Sequence, residues 1–270
     1  MNEPIKVFVG SESKTKVPFL VLRHSIVSRT KHPVEVVEMG DFDPWLQPSD
    51  VHSATGFSLR RWMIPEACNF QGSAIYLDAD QVVLADIEEL WNYRNLSRAI
   101  CCCFRPDKCS ALIGGTPGSA VPQTSVMVIN CDKCNPEQWS REAIFSRIRS
   151  TGKPHSPPAV KVYQKIMHGQ LVSEVPFPLE LRWNEFNTLH PDSKLLHYTF
   201  ETTQPWYQPE HPLTAIWEAE LVRAIVARHV TAEHLREAIA LGKAGSTDWR
   251  KHGGLNSYYE KYIPFAEEYK

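Results

Sequence analysis

The segment that most restricts what this chain can fold into is Ala74 to Ile87, AIYLDADQVVLADI. An apolar run suited to a buried strand passes without a break into two carboxylates one residue apart. In extended backbone, positions i and i+2 point the same way, so Asp78 and Asp80 are expected to share a side. Two like charges placed so repel unless a cation lies between them. The C-terminal ends of strands in an open α/β sheet are where ligands bind. Hard carboxylate oxygens suit Mn2+ or Mg2+, ions that keep open positions for phosphate oxygens. The bland reading is a solvated Asp-x-Asp turn after a strand, since the pattern alone is short and common.

The elements around this segment favour a parallel sheet with helices on both faces. Ile5 to Gly10 (IKVFVG) reads as a buried strand, followed by a polar loop and a helix over Val17 to Arg29. Further strands are expected at Val34–Met39, Ser73–Leu77, Ala99–Phe104, Val126–Asn130 and Leu195–Tyr198. Helices are expected at Ser58–Cys68, Asp86–Trp91 and Pro136–Arg149, the last as one amphipathic element. Asp41–Thr55, the Gly- and Pro-bearing stretch Gly114–Pro122, and Gly152–Pro158 read as loops. From Leu213 to Lys243 the apolar residues Ile216, Leu221, Ile225, Leu235 and Ile239 recur at helical spacing.

Composition sets limits on function. The chain has 270 residues, 43% of them hydrophobic, with a formal net charge of -2. It is long enough for a real core without a metal or disulfide staple. The charge balance argues against broad, charge-driven nucleic-acid binding, which usually shows a basic excess. No stretch is apolar for long enough to span a membrane, and the start lacks a signal-peptide pattern. Seven cysteines are an odd number. Cys131 and Cys134 form a single CxxC, whereas a four-cysteine zinc site needs a second pair. A thioredoxin-like role for that CxxC is the sharper reading; reduced, buried thiols in a cytoplasmic protein is the plainer one.

The segment Tyr76-Leu77-Asp78-Ala79-Asp80 resembles the metal-binding strand end of GT-A glycosyltransferases, in particular the retaining, glycogenin- and galactosyltransferase-like family 8. Four other segments match that group in order. Ile5–Gly10 resembles its first nucleotide-binding strand. Phe57–Pro65 (FSLRRWMIP) resembles its helix before the paired aspartates. Gln123–Cys131 (QTSVMVINC) resembles a run of small residues leading into a strand. His197–Trp206 (HYTFETTQPW) resembles its late histidine motif. The wording is most similar to an uncharacterised bacterial branch, and the resemblance runs from about Ile5 to Trp206.

The resemblance implies a GT-A (Rossmann-like) α/β fold with a mixed, mainly parallel sheet flanked by helices. It also implies a nucleotide-sugar-binding catalytic domain over residues 1–207 and a helical C-terminal extension over 208–270. Asp78, Asp80 and His197 would hold Mn2+ or Mg2+. Val9, Gly10 and Ser11 would contact the base and ribose, with the Ala79 backbone at the ribose. Arg61 would reach the donor. Gln123, Thr124 and Ser125 would contact the donor sugar. Gln164 would face the reacting carbon. Trp183 and Asn184 would line the sugar or acceptor pocket, and Gln204 would lie by the diphosphate. Three residues depart from the family pattern: Tyr163 stands for an Asp, Gln204 for a Lys, and Ser11 for an acidic base-reading residue.

These readings lead to a metal-dependent glycosyltransferase. It would move a sugar from a nucleotide-sugar, expected to be a UDP-sugar, to an acceptor hydroxyl with retention of configuration. The acceptor would be a glycan, a lipid-linked sugar or a small molecule. Three alternatives stand beside it. One is a nucleotide-sugar-binding module with impaired catalysis, motivated by the missing Asp and Lys. Another is a glycosyltransferase acting on modified nucleic-acid bases, with Trp249-Arg250-Lys251-His252 as part of a groove. The third is a metal-dependent nucleotidyltransferase, which would normally bring a glycine to the first loop; Ser11–Lys16 has none.

Overall fold

The computed structural model describes residues 3–40, 58–106, 116, 118–150, 157–167, 176–199, 204–207, 210–244 and 258–269. The expected loop 41–55, Phe57, Gly114, Gly115, Pro117, residues 152–156 and 200–203, and the Trp249–His252 cluster lie outside the described residues. The chain forms two compact units. One comprises Met1–Gly10, His32–Leu77 and Glu88–Leu181; the other comprises Ser11–Lys31, Asp78–Ile87 and Arg182–Lys270.

The first unit is organised by a six-stranded sheet. Its strands are β1 (Ile5–Gly10), β2 (Val34–Glu38), β3 (Ser73–Asp78), β5 (Ile100–Pro106), β6 (Ala120–Asn130) and β7 (Phe177–Pro178), in the order β2-β1-β3-β6-β5-β7. β1 and β2 are parallel, with Ile5 opposite Val34. β6 runs antiparallel to both β3 and β5, while β5 and β7 are parallel, so β3, β5 and β7 share one direction and β6 opposes them. This is the expected mixed α/β class, and the helix expected over Asp86–Trp91 forms as α3 (Ile87–Trp91). β6 starts earlier than its apolar run suggests, because Pro122 pairs opposite Phe104 beyond a register shift at Cys102/Cys103; irregular pairing of this kind is where a sheet tolerates proline.

Helices cover this sheet. α2 (Ile64–Ala67) follows a 3-10 turn over Arg60–Met63. It is shorter than expected and is closed by positive φ at Asn69 (53°) and Phe70 (56°). The expected single helix over Pro136–Arg149 is two: α4 (Pro136–Trp139) and α5 (Arg141–Arg149). Ser140 separates them, since its extended backbone (ψ 152°) leaves the helix while its side chain accepts from Ala143 N as the cap of α5. α6 (Pro157–Met167) follows, starting inside the stretch read as loop. The core packs Trp62, Tyr76, Met127, Trp139, Ile144 and Ile148, with the Trp62 and Trp139 rings 5.8 Å apart. Cys68, Cys101, Cys102, Cys103, Cys131 and Cys134 are free and buried.

The second unit holds α1 (Lys16–Val27) and a small sheet of β4 (Gln81–Val83), β8 (Glu185–Phe186) and β9 (Leu195–His197), in the order β4-β9-β8. The expected C-terminal extension supplies α7 (Thr214–Val226), α8 (Ala232–Ala244) and α9 (Ile263–Glu268). α7 ends where Arg228 takes a left-handed φ of 61°, which lets His229 N and Val230 N bond back to Ala224 O. Aromatic rings pack these elements together: Trp217 lies 5.0 Å from Trp206 and 6.4 Å from Tyr259. Ser25 of α1 accepts from Val83 N at 3.0 Å, joining α1 to β4. Among the described residues no helix is long and apolar enough to cross a membrane.

Candidate active site

Backbone pairing brings the carboxylates to the late histidine. After Asp80 the chain enters β4, which runs antiparallel to β9 with Gln81 opposite His197. Tyr198 N then donates to Asp80 O at 3.0 Å, extending the pairing by one residue. The neighbouring strand β8 sets Phe186 opposite His197, and the two rings meet edge to face at 5.2 Å. His197 is therefore held on both sides by backbone and on one face by a ring. Asp78, Asp80 and His197 each offer a ligand atom, and these atoms lie within 4.8 Å of one another. Side chains 117 and more residues apart in sequence meet because a three-residue strand pairs in one register.

Hydrogen bonds define what this cluster can accept. His197 is 5% exposed. Its Nδ1 lies 2.9 Å from Asn184 Oδ1. An amide oxygen only accepts, so Nδ1 carries the proton and donates, which leaves Nε2 as the ring nitrogen available as a ligand atom. That Nε2 lies 3.2 Å from Asp80 Oδ1. The two atoms are close without hydrogen-bond geometry, and Asp80 Oδ1 is buried with no hydrogen-bond partner. Asp80 Oδ2, by contrast, accepts from Gln204 Nε2 at 2.8 Å. Two electron-pair donors thus face each other at close range, and a divalent cation relieves that arrangement. The donor set, two carboxylates and one imidazole, fits Mn2+ or Mg2+.

The other expected residues have definite places. In the first unit, Val9 is buried and its carbonyl accepts from Met39 N, and Gly10 ends β1. Arg61 is buried; its Nη1 donates to Thr124 O at 2.8 Å and its guanidinium lies 4.7 Å over the Tyr76 ring. Thr124 and Ser125 are buried on β6, and Gln123 Nε2 reaches Val121 O. Arg61 and Thr124, expected from separate motifs, are thus direct neighbours. Arg60, the adjacent arginine, donates instead to Met39 O. Gln164 lies in α6; its side chain is outside the described set.

In the second unit, Ser11 and Ala79 are buried. Trp183 is fully buried, with Lys194 Nζ 5.6 Å from its ring. Asn184 and Gln204 direct an amide at His197 and at Asp80 respectively. The sequence carries no local signal for either bond, since both partners arrive through tertiary pairing.

Replacing Arg61 by Met keeps the stem and removes the guanidinium. The buried bond to Thr124 and the contact with Tyr76 are then lost, so the chain is expected to be less stable by about 1.5–3 kcal/mol in denaturant unfolding. An unchanged midpoint would show that Arg61 does not tie β6 to the turn that carries it.

No protein-family model matches the chain. Protein CDI of Arabidopsis thaliana is 32% identical over 107 residues, which is 37% of this chain and 41% of CDI. Among solved structures, the bifunctional glycosyltransferase WbbM superposes with a TM-score of 0.57 at 14% identity, over 82% of this chain and 50% of WbbM. The galactosyltransferase LgtC, solved with donor and acceptor sugar analogues, superposes with a TM-score of 0.56 at 13% identity, over 80% of this chain and 95% of LgtC. The chain thus spans half or less of CDI and WbbM. The structural likenesses establish its fold as that of the GT-A glycosyltransferases.

Proposed function

We propose that this chain is a metal-dependent glycosyltransferase that moves a sugar from a nucleotide-sugar, a UDP-sugar, to an acceptor hydroxyl with retention of configuration. The observation that carries the proposal is the convergence of Asp78, Asp80 and His197 within 4.8 Å, with Asp80 Oδ1 buried and unbonded, in a chain of GT-A fold. These three residues would hold Mn2+ or Mg2+. Bound there, the ion would supply charge neutralisation at the departing nucleoside diphosphate. The free, buried thiols suit a cytoplasmic setting for the reaction.

The residues of the chain bind and orient. Val9, Gly10, Ser11 and Ala79 are assigned to the nucleoside, and Arg61 with Gln123, Thr124 and Ser125 to the sugar side of the donor. Retention requires either an enzyme nucleophile or attack on the face the leaving group vacates. A carboxylate nucleophile is the usual basis of double displacement. The resemblance assigns Gln164 to the position facing the reacting carbon, and an amide is a poor nucleophile. Same-face attack is therefore the reading: the acceptor oxygen bonds to the anomeric carbon as that carbon's bond to phosphate oxygen breaks. The hydroxyl proton passes to the departing phosphate.

A thermal-shift panel of nucleotide-sugars with and without Mn2+ tests the donor assignment. UDP-sugars are expected to raise Tm in the presence of Mn2+, because a ligand at about 100 times its Kd adds about 2.7 kcal/mol, and to raise it little without the ion. No stabilisation by any nucleotide-sugar would end the proposal. Stabilisation without Mn2+-dependent hydrolysis of the donor would favour the catalytically impaired binding module.

A further inference from the structure

Asn184 and Gln204 each direct a side-chain amide at the Asp-Asp-His cluster. Asn184 is fully buried, and its Oδ1 lies 2.9 Å from His197 Nδ1. Gln204 is also buried; its Nε2 donates to Asp80 Oδ2 at 2.8 Å and to Tyr198 O at 3.1 Å. Both N–H groups of the Gln204 amide are thereby used within the protein. The two amides act on the two residues whose remaining atoms, Nε2 and Oδ1, face each other at 3.2 Å.

We propose that Asn184 and Gln204 form a two-amide clamp that presets the metal site, Asn184 by fixing the His197 tautomer and Gln204 by fixing the Asp80 carboxylate. Each is a positioning residue that acts through a ligand. The chemistry follows from donor and acceptor roles. With Nδ1–H held by an amide oxygen, Nε2 is the ring nitrogen turned toward the cluster. The alternative tautomer would put a proton there and pair Nε2 with Asp80, closing the site. With Oδ2 held by Gln204, the carboxylate plane cannot rotate to spend Oδ1 on another donor. Polar neighbours of this kind, outside the ligands themselves, typically change metal affinity by about 10–100-fold when removed.

Gln204 stands where the family pattern has a lysine, and in this chain its amide is spent on Asp80. A neutral amide donates a hydrogen bond and leaves the net charge of the cluster intact for a divalent ion.

This inference rests on the metal-site reading above, and the experiment separates the two. Mn2+ binding to the full chain is measured by the loss of the free-ion EPR signal for wild type, Asn184→Leu, Asn184→Asp and Gln204→Leu. The His197 tautomer is read by 15N NMR of the metal-free wild type and Asn184→Leu. Wild type is expected to bind Mn2+ and to show the Nδ1–H tautomer. Each leucine variant is expected to bind about 10–100-fold more weakly. Asn184→Leu should also lose the Nδ1–H tautomer. Asn184→Asp, which keeps an acceptor at Nδ1, should bind at least as tightly as wild type. Metal-free thermal unfolding checks that each variant is folded, with Asn184→Ala and Gln204→Met as replacements for any that is not. A wild type that holds the Nδ1–H tautomer yet takes up no Mn2+ would overturn the metal-site reading and, with it, the clamp's purpose. Wild-type binding with unchanged affinity in the folded leucine variants, or an Nε2–H tautomer in wild type, would overturn the clamp alone.

Discussion

Asp80→Asn is expected to lower Mn2+ affinity at least 100-fold and Mn2+-dependent donor turnover by about 10^3-fold, equivalent to about 4 kcal/mol of lost charge stabilisation. The substitution is nearly isosteric. It leaves an oxygen to accept from Gln204 and leaves the backbone bond from Tyr198 N to Asp80 O untouched. It removes the charge from the one cluster atom that is buried without a hydrogen-bond partner. A fall in activity therefore reports on the charge and not on folding. Stability moves the other way: relief of the Asp78–Asp80 repulsion should leave the metal-free Tm unchanged or higher. The pair of readouts, lower turnover with an unimpaired metal-free Tm, is the expected result. Turnover within threefold of wild type, measured at Mn2+ concentrations below the wild-type Kd, would show that Asp80 is not a ligand.

The paired aspartates were legible because both halves of their signal are local. An apolar run of strand length and a carboxylate pair need no knowledge of the rest of the chain, and β3 ends at Asp78 as that pattern requires. The helix over Lys16–Val27 was legible for the same reason, with its apolar residues on one element. β4, β8 and β9 are two or three residues long, too short to show a period. Of these only β9 was anticipated, through the apolar pair before His197. Its partners were not, yet their register is what brings His197 to Asp80. Ser140 hid the break between α4 and α5, since one polar residue inside an amphipathic run keeps the periodicity while its cap ends the helix. The contacts of Asn184 and Gln204 belong to the same class of feature. They follow from pairing between distant segments, so residue type pointed to the neighbourhood of the site and not to the partner.

Glu220→Gln is expected to destabilise the chain by about 3–5 kcal/mol near neutral pH, the cost of breaking a buried ion pair by removing one partner. Glu220 on α7 is 1% exposed. Its two oxygens accept from Arg29 at 2.8 and 2.6 Å, Arg223 adds a third bond at 3.0 Å, and His24 Nε2 lies 3.7 Å away. Burial alone would push this carboxyl up, but the Arg29 bonds and charge outweigh it and hold its pKa below the ordinary value of 4.5. A carboxylate lowered in the native state adds stability that is present above 4.5 and lost as pH falls through the native value. Three histidines act at higher pH, His211 among them through burial. His24 and His229 meet Nδ1 to Nδ1 at 3.0 Å, so one ring must donate and the other accept. Burial lowers both from 6.5; Glu220 pulls His24 back up, while His229, Arg29 and Arg223 add to the lowering, and Arg23 adds to that of His229. The unfolded chain therefore takes up these protons first, and stability falls as pH drops below 6.5. Wild type should show two acid steps in its unfolding free energy, one beginning near pH 6.5 and one below 4.5. Glu220→Gln shrinks the lower step, to which Glu218 also contributes, and, by removing the group that raises His24, deepens the upper one. A variant whose lower step is undiminished, or whose stability at pH 7 matches wild type, would show that the Arg29–Glu220–His24 cluster does not carry the stability of this unit.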